Sequence, residues 1–105
     1  MDKSNTTGRV TIINPNSSEA VTKSIDEAVD PLRWSEGPVI DCLTLKEGPP
    51  GIETQCHVDG VVAPLSELIR QEDATTDAFV IACFSDPGLH SAREKIGRAS
   101  CRERV

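Results

Sequence analysis

Aromatic residues are scarce in this 105-residue chain, which has one tryptophan, two phenylalanines and no tyrosine. Only 37% of the residues are hydrophobic, so the core must be small and aliphatic, and the length allows one small domain or part of a larger one. No apolar run is long enough to cross a membrane, and the opening MDKSNTTGRV lacks the apolar centre of a signal peptide. We therefore expect no membrane association.

Positive charge is also in short supply, with 11 Lys and Arg against 17 Asp and Glu and a net charge of −6. A nucleic-acid surface needs clustered cations to neutralise phosphates, so nucleic acid is excluded as a partner. The four cysteines, Cys42, Cys56, Cys83 and Cys101, lack close paired spacing. This argues against a disulfide framework and favours reduced thiols and a cytoplasmic location.

The last ten residues, IGRASCRERV, have no helical or strand periodicity. One permitted choice of codons, beginning inside Lys95, reproduces a common sequencing adapter over the whole segment. We therefore expect residues 96–105 to be an adapter-derived tail that replaces the natural C-terminal part. Residues 1–8 are polar and predicted to be a disordered N-terminus, which leaves residues 9–95 as the α/β region.

Three β-branched, apolar runs are typical of strands and alternate with helical segments. Such alternation predicts an α/β fold, a three-layer sandwich in which helices cover both faces of a parallel sheet. The predicted strands are RVTIIN at 9–14, GPVIDCLTL at 37–45 and DAFVIAC at 77–83.

A helical pattern follows each predicted strand. Ser17 or Ser18 can cap a first helix, which should weaken at Pro31. A second helical pattern covers residues 53–72, with a kink or restart near Pro64. Asp86 as cap and Pro87 in first position predict a third helix.

Ligands of such sheets bind outside the carboxyl ends of the strands. Three loops should therefore converge, at residues 14–18, 46–54 and 83–89. Cys83 stands where the third strand runs out into a loop, at the mouth of this predicted pocket. Backbone N–H groups and a helix N-terminus close behind it would favour its thiolate.

The motifs INPNSS, EGPPGIET and ACFSDPGL, in that order after the three strands, resemble the aspartate/glutamate/hydantoin racemase superfamily, and its hydantoin racemase-like branch in particular. The resemblance covers residues 10–94. It implies a flavodoxin-like half of a two-half, pseudo-symmetric enzyme, which needs no cofactor and is a homo-oligomer when full length. Each half donates one cysteine: one thiolate removes a proton α to a carbonyl, and the other thiol reprotonates the opposite face.

By position, the resemblance implies that Cys83 is the catalytic cysteine of the N-terminal half. The residues that it places around a small-molecule substrate are Asn14, Asn16, Pro50, Ile52, Thr54, Phe84 and Ser85. Ser85 departs from the glycine of many hydantoin-type members, and the second cysteine belongs to a half that this chain lacks. This fragment alone should therefore be inactive.

Two other interpretations stay open. The same pocket suits isomerase or decarboxylase relatives of the superfamily, and a non-enzymatic α/β module could bind a small anion at its helix N-termini. A receiver domain fits poorly, because Asn14 stands where paired acids would be expected. Cys56 and His57 are adjacent and point about 100° apart on a helix, so we expect no metal site.

Overall fold

The computed structural model describes residues 8–83 and 87–96, with backbone only at residues 95 and 96. Apart from Gly8 and Ile96, the predicted disordered N-terminus and adapter tail lie outside the described residues. The elements follow in the order β1 (Arg9–Asn14), α1 (Glu19–Val29), a 3-10 turn (Asp30–Leu32), β2 (Val39–Thr44), α2 (Gln55–Gly60), α3 (Val62–Glu72), a 3-10 turn (Asp73–Thr75), β3 (Ala78–Ile81) and α4 (Leu89–Ile96).

The three strands form one open, parallel sheet in the order β2-β1-β3. The first strand of the chain is therefore the central one. Ile13 lies opposite Leu43 of β2 and Ile81 of β3. The predicted parallel α/β sheet is confirmed, and its order is that of a doubly wound fold.

Successive residues of β1 point to opposite faces of the sheet, and both faces are covered by helices. Ile13 is fully buried in a cluster with Leu65 of α3 and Leu89 of α4. Its neighbour Asn14 points the other way and bonds Thr22 of α1. The chain therefore forms the three layers that the sequence predicts. Full burial of a side chain such as Ile13 contributes about 1.5–3 kcal/mol.

The helix α1 is confirmed, although its apolar face is only partly covered. Ser18 caps it by accepting a bond from the Val21 amide, and the helix gives way to a 3-10 turn that contains Pro31. Thr22 is its one buried residue, whereas Val21 is 40% exposed. Much of the attachment of α1 to the sheet is polar.

The second helical segment is interrupted as predicted, at Val61 rather than at Pro64. Val61 ends α2 and precedes α3, and Pro64 is the third residue of α3. A proline in the first helical turn costs no internal hydrogen bond, because the first N–H groups have no partner within the helix. Within the described residues, no helix is both long and apolar enough to span a membrane.

The predicted start of the last helix is wrong. The helix α4 begins at Leu89, and its first bond runs from the Ala92 amide to the Gly88 carbonyl. Gly88 has a φ of +74°, a left-handed conformation that cannot continue a helix, so Pro87 lies in a turn before it. Asp86 lies outside the described residues. The helix terminus is therefore farther along the chain from Cys83 than the sequence suggested.

Candidate active site at the carboxyl ends of β1 and β3

The carboxyl ends of β1 and β3 meet at the point where the strand order reverses. The chain leaves β1 toward β2 on one side, while β3 lies on the other side. In doubly wound folds, this reversal opens the crevice in which ligands bind. Two of the predicted site residues lie at these strand ends. Asn14 is the last residue of β1, and Cys83 lies two residues beyond the end of β3.

Cys83 lies in a bend two residues beyond β3. The ladder continues through a bond from the Ala82 amide to the Ile13 carbonyl (2.9 Å), and the Cys83 amide then bonds the Ile81 carbonyl (3.0 Å). This bond closes a three-residue turn that leads the chain out of the sheet. The Cys83 residue is half-buried. Phe84 and Ser85, which follow it, lie outside the described residues.

Asn14 ends β1 and is 2% exposed. Its Nδ2 group shares its two N–H protons among three oxygens, at 2.8 Å from Asn16 Oδ1, 3.1 Å from the Ser18 carbonyl and 3.0 Å from Thr22 Oγ1. These bonds tie the end of the central strand to the first turn of α1. In this arrangement, Asn14 shapes the loop over residues 14–18.

Asn16 lies in the middle of that loop and is half-buried. Its Oδ1 accepts bonds from the Asn14 side chain and from the Ser18 amide (2.9 Å), and its own amide donates to Asn14 Oδ1 (3.3 Å). None of these contacts uses the Nδ2 group of Asn16. Among the residues that the structure describes, that group is therefore a side-chain donor with no partner in this loop.

The second predicted loop, residues 46–54, packs directly against the first. The Ser17 amide bonds the Pro49 carbonyl (2.9 Å). A Cβ added at Gly48 would lie 2.4 Å from the Pro15 carbonyl oxygen and 3.3 Å from Asn16 Cα. Only glycine allows this approach. Gly48 was not among the predicted site residues, although the Gly and Pro content around it indicated a loop.

The three predicted substrate residues of this loop differ in their surroundings. Pro50 is exposed, whereas Ile52 is partly buried and packs against the core. Thr54 is exposed and caps α2, where its side chain accepts a bond from the His57 amide. The loop over residues 46–54 thus contacts the loop over residues 14–18 through Gly48 and Pro49, and Thr54 lies at its far end.

The neighbouring Cys56 and His57 have separate surroundings. Cys56 is exposed, while His57 Nδ1 accepts a bond from the Glu53 amide (2.9 Å). Among the residues that the structure describes, no group of three or more His, Cys, Asp or Glu side chains is placed to hold a metal ion. The side chains of Ser18 and Thr54 already occupy donors at the starts of α1 and α2, which weighs against anion binding there.

The third described cysteine, Cys42, lies in β2 beneath α1. Two effects raise the pKa of the Cys42 thiol. The larger is burial, and the second is the negative charge of the nearby Asp26 carboxylate. Asp26 itself is bonded by Arg33, which lowers the pKa of that carboxyl. Arg33 also donates to the Ile40 carbonyl (2.8 Å). These contacts hold α1 on the sheet and are consistent with a structural role for Cys42.

A separate groove of about 570 Å³ runs along β2 between α1 and α3. Its lining includes Thr22, Thr44 and Leu68, with several glutamates. It contains neither Asn14 nor Cys83. This groove is therefore distinct from the crevice between β1 and β3.

The chain is similar to known racemases in sequence and in fold. The sequence model of the Asp/Glu/hydantoin racemase family matches residues 10–100. A hydantoin racemase of Pseudomonas sp. (strain NS671) is 38% identical over 90 residues, which cover 82% of this chain and 34% of that protein. A hydantoin racemase of Paenarthrobacter aurescens is 37% identical over 92 residues, which cover 86% and 39%.

Among solved structures, an allantoin racemase from Klebsiella pneumoniae matches with a TM-score of 0.81 and 34% identity. The match covers 90% of this chain and 39% of that one. The chain thus spans between a third and two fifths of the length of these relatives.

Proposed function

Because the chain belongs to the aspartate/glutamate/hydantoin racemase family, we propose that it is the Cys83-bearing part of a cofactor-independent racemase. The observation that supports the proposal is that Asn14 and Cys83 lie at the carboxyl ends of the neighbouring parallel strands β1 and β3. A half-buried thiol at a ligand crevice is placed to act on a small molecule.

In the proposed reaction, the Cys83 thiolate takes the proton from a carbon α to a carbonyl. The C–H electron pair moves into the carbonyl as an enolate forms, and the new S–H bond holds the proton. A second thiol, from the part of the enzyme that this chain does not span, then donates a proton to the opposite face. Inversion needs an acid and a base on opposite sides, so one cysteine cannot complete it.

The developing negative charge requires donors directed at the carbonyl oxygen. We assign this role to the backbone amides of Phe84 and Ser85, to the Ser85 hydroxyl and to the Nδ2 group of Asn16. The loop that carries Pro50, Ile52 and Thr54 forms one wall. The names of the relatives point to cyclic ureides, such as hydantoin or allantoin, as the substrate class.

The test is a chimera in which this chain's matched residues replace those of the Pseudomonas hydantoin racemase. Polarimetry and deuterium uptake would follow a 5-substituted hydantoin. We expect the chimera to racemise it and the 105-residue chain alone to be inactive. In the chimera, Cys83→Ala should lower the rate at least about a hundredfold, whereas Cys56→Ala, a matched change of an exposed thiol, should leave it unchanged.

Two results would refute the proposal. An active chimera that keeps its rate after Cys83→Ala would remove the assigned base. Racemisation by the unmodified 105-residue chain, abolished by the same substitution, would show that no second thiol is needed.

A further inference from the structure

A line of hydrogen bonds leads from Asn14 to the surface of the protein. Asn14 Nδ2 lies 3.0 Å from Thr22 Oγ1, and Thr22 Oγ1 lies 2.6 Å from Thr44 Oγ1. Thr44 then donates to Glu19 Oε1 at 3.0 Å. Asn14 and Thr22 are buried, at 2% and 8% exposure, while Glu19 is exposed in the first turn of α1. The line therefore connects the candidate site to a surface carboxylate.

The chemistry of these groups sets the direction of each bond. An ionised carboxylate only accepts, so the Thr44 hydroxyl gives its single proton to Glu19. Thr22 must then donate to Thr44, and its oxygen is left to accept from Asn14. The alternative partner for the Thr22 proton, the Ser18 carbonyl, is 3.4 Å away, a poorer distance than 2.6 Å.

This direction matters for the orientation of the Asn14 amide. Its Nδ2 group faces three oxygens, and two of them, Asn16 Oδ1 and the Ser18 carbonyl, can only accept. Thr22 is the one that could donate instead, and its proton is engaged toward Thr44. With Thr22 as an acceptor, all three neighbours favour the same amide orientation.

We propose that Glu19, Thr44 and Thr22 are positioning residues that hold the Asn14 amide in one orientation. Asn14 in turn donates to Asn16 Oδ1, which leaves the Nδ2 group of Asn16 for the carbonyl of a bound substrate. The first part follows from the contacts alone, and the substrate contact rests on the proposed function. Asn14 and its three positioning residues come from three different elements, β1, α1 and β2. The sequence therefore shows no motif for them.

The test uses the ¹⁵N-labelled 105-residue chain and follows hydrogen exchange of the Asn14 side-chain amide by NMR. We expect Thr22→Val, which removes the hydroxyl at constant shape, to speed this exchange at least tenfold, and Thr22→Ser to restore it. Glu19→Gln lets a surface amide donate to Thr44 and should speed it two- to fivefold. Glu27→Gln, at the other end of α1, is the matched control and should change nothing.

A titration with hydantoin, monitored at the Asn16 side-chain amide, gives the second readout. In the wild-type chain this resonance should shift, and in Thr22→Val the apparent Kd should rise at least fivefold while Thr22→Ser binds normally. Unchanged Asn14 exchange in both Thr22→Val and Glu19→Gln would overturn the positioning role. A different result would refute only the substrate contact. In that case Asn14 exchange speeds up in the variants, but hydantoin shifts no Asn16 side-chain resonance in the wild-type chain. The hydrogen bonds would then only stabilise the loop. Glu19 is exposed, so its variant keeps the test decisive if Thr22→Val fails to fold.

Discussion

Replacing Gly48 with alanine should push apart the two loops that form the candidate site. The added methyl carbon would lie 2.4 Å from the Pro15 carbonyl oxygen, 3.2 Å from the Leu45 carbonyl oxygen and 3.3 Å from Asn16 Cα. All three are backbone atoms and cannot rotate away as the end of a long side chain would. The loop at 46–54 must therefore move away from the loop at 14–18.

The cost follows from this overlap. Inserting a methyl group into a packed region costs about 1–3 kcal/mol, and separation of the loops also strains the bond from the Ser17 amide to the Pro49 carbonyl (2.9 Å), worth about 0.5–1.5 kcal/mol. We expect a loss of about 2–4 kcal/mol in the free energy of unfolding. For a domain of this size, each kcal/mol corresponds to a fall in Tm of about 4–8 °C.

Urea and thermal unfolding, followed by circular dichroism, would measure the loss. Gly60→Ala is the matched control, because a Cβ at Gly60 meets nothing within 4 Å, and it should be neutral or slightly stabilising. If Gly48→Ala unfolds at the same urea concentration as Gly60→Ala, the close approach of the loops does not constrain the fold and the reasoning is wrong.

Two further predictions concern the sheet. The raised pKa of Cys42 leaves little thiolate at pH 8, so alkylation followed by mass mapping should label Cys42 much more slowly than the exposed Cys56. Asp26→Asn removes a negative neighbour and should speed Cys42 labelling, and an unchanged rate would assign the effect to burial alone. Thr11→Val breaks the buried hydroxyl pair with Thr76 (2.8 Å) and should cost about 1–3 kcal/mol in denaturant unfolding. Adding Thr76→Val should recover part of that loss, and strict additivity of the two changes would contradict the pairing.

The sequence predicts β1 and β3 well because their β-branched, apolar runs are buried by the covering helices. Ile13 and Ile81 lie in short, β-branched runs that are typical of buried strands, and both are fully buried. The converging loops follow from the parallel order of such strands, since their carboxyl ends meet at one edge. The parallel α/β class therefore follows from local patterns of hydrophobicity, whereas the strand order β2-β1-β3 was not predicted.

Contacts between side chains far apart in the chain were not predictable in this way. Thr22 and Thr44 look like ordinary helix and strand residues, and only the packing of α1 on β2 joins them at 2.6 Å. The start of α4 was misjudged because Asp86 and Pro87 are good helix-start residues, while the left-handed turn at Gly88 delays the helix to Leu89. Local helix propensity does not predict the positive φ of Gly88, which is set by the packing of the folded chain.

The central position of the first strand has a consequence for biosynthesis. The bond from the Arg9 amide to Asp77 joins groups 68 positions apart, and such distant contacts form late because they close a long loop. On a ribosome that adds about 5–20 residues per second, β1, α1 and β2 emerge roughly several seconds before β3. During that interval the second edge of β1 is an open template for pairing with another nascent chain. The same delay means that the crevice beside Asn14 cannot form until β3 has emerged.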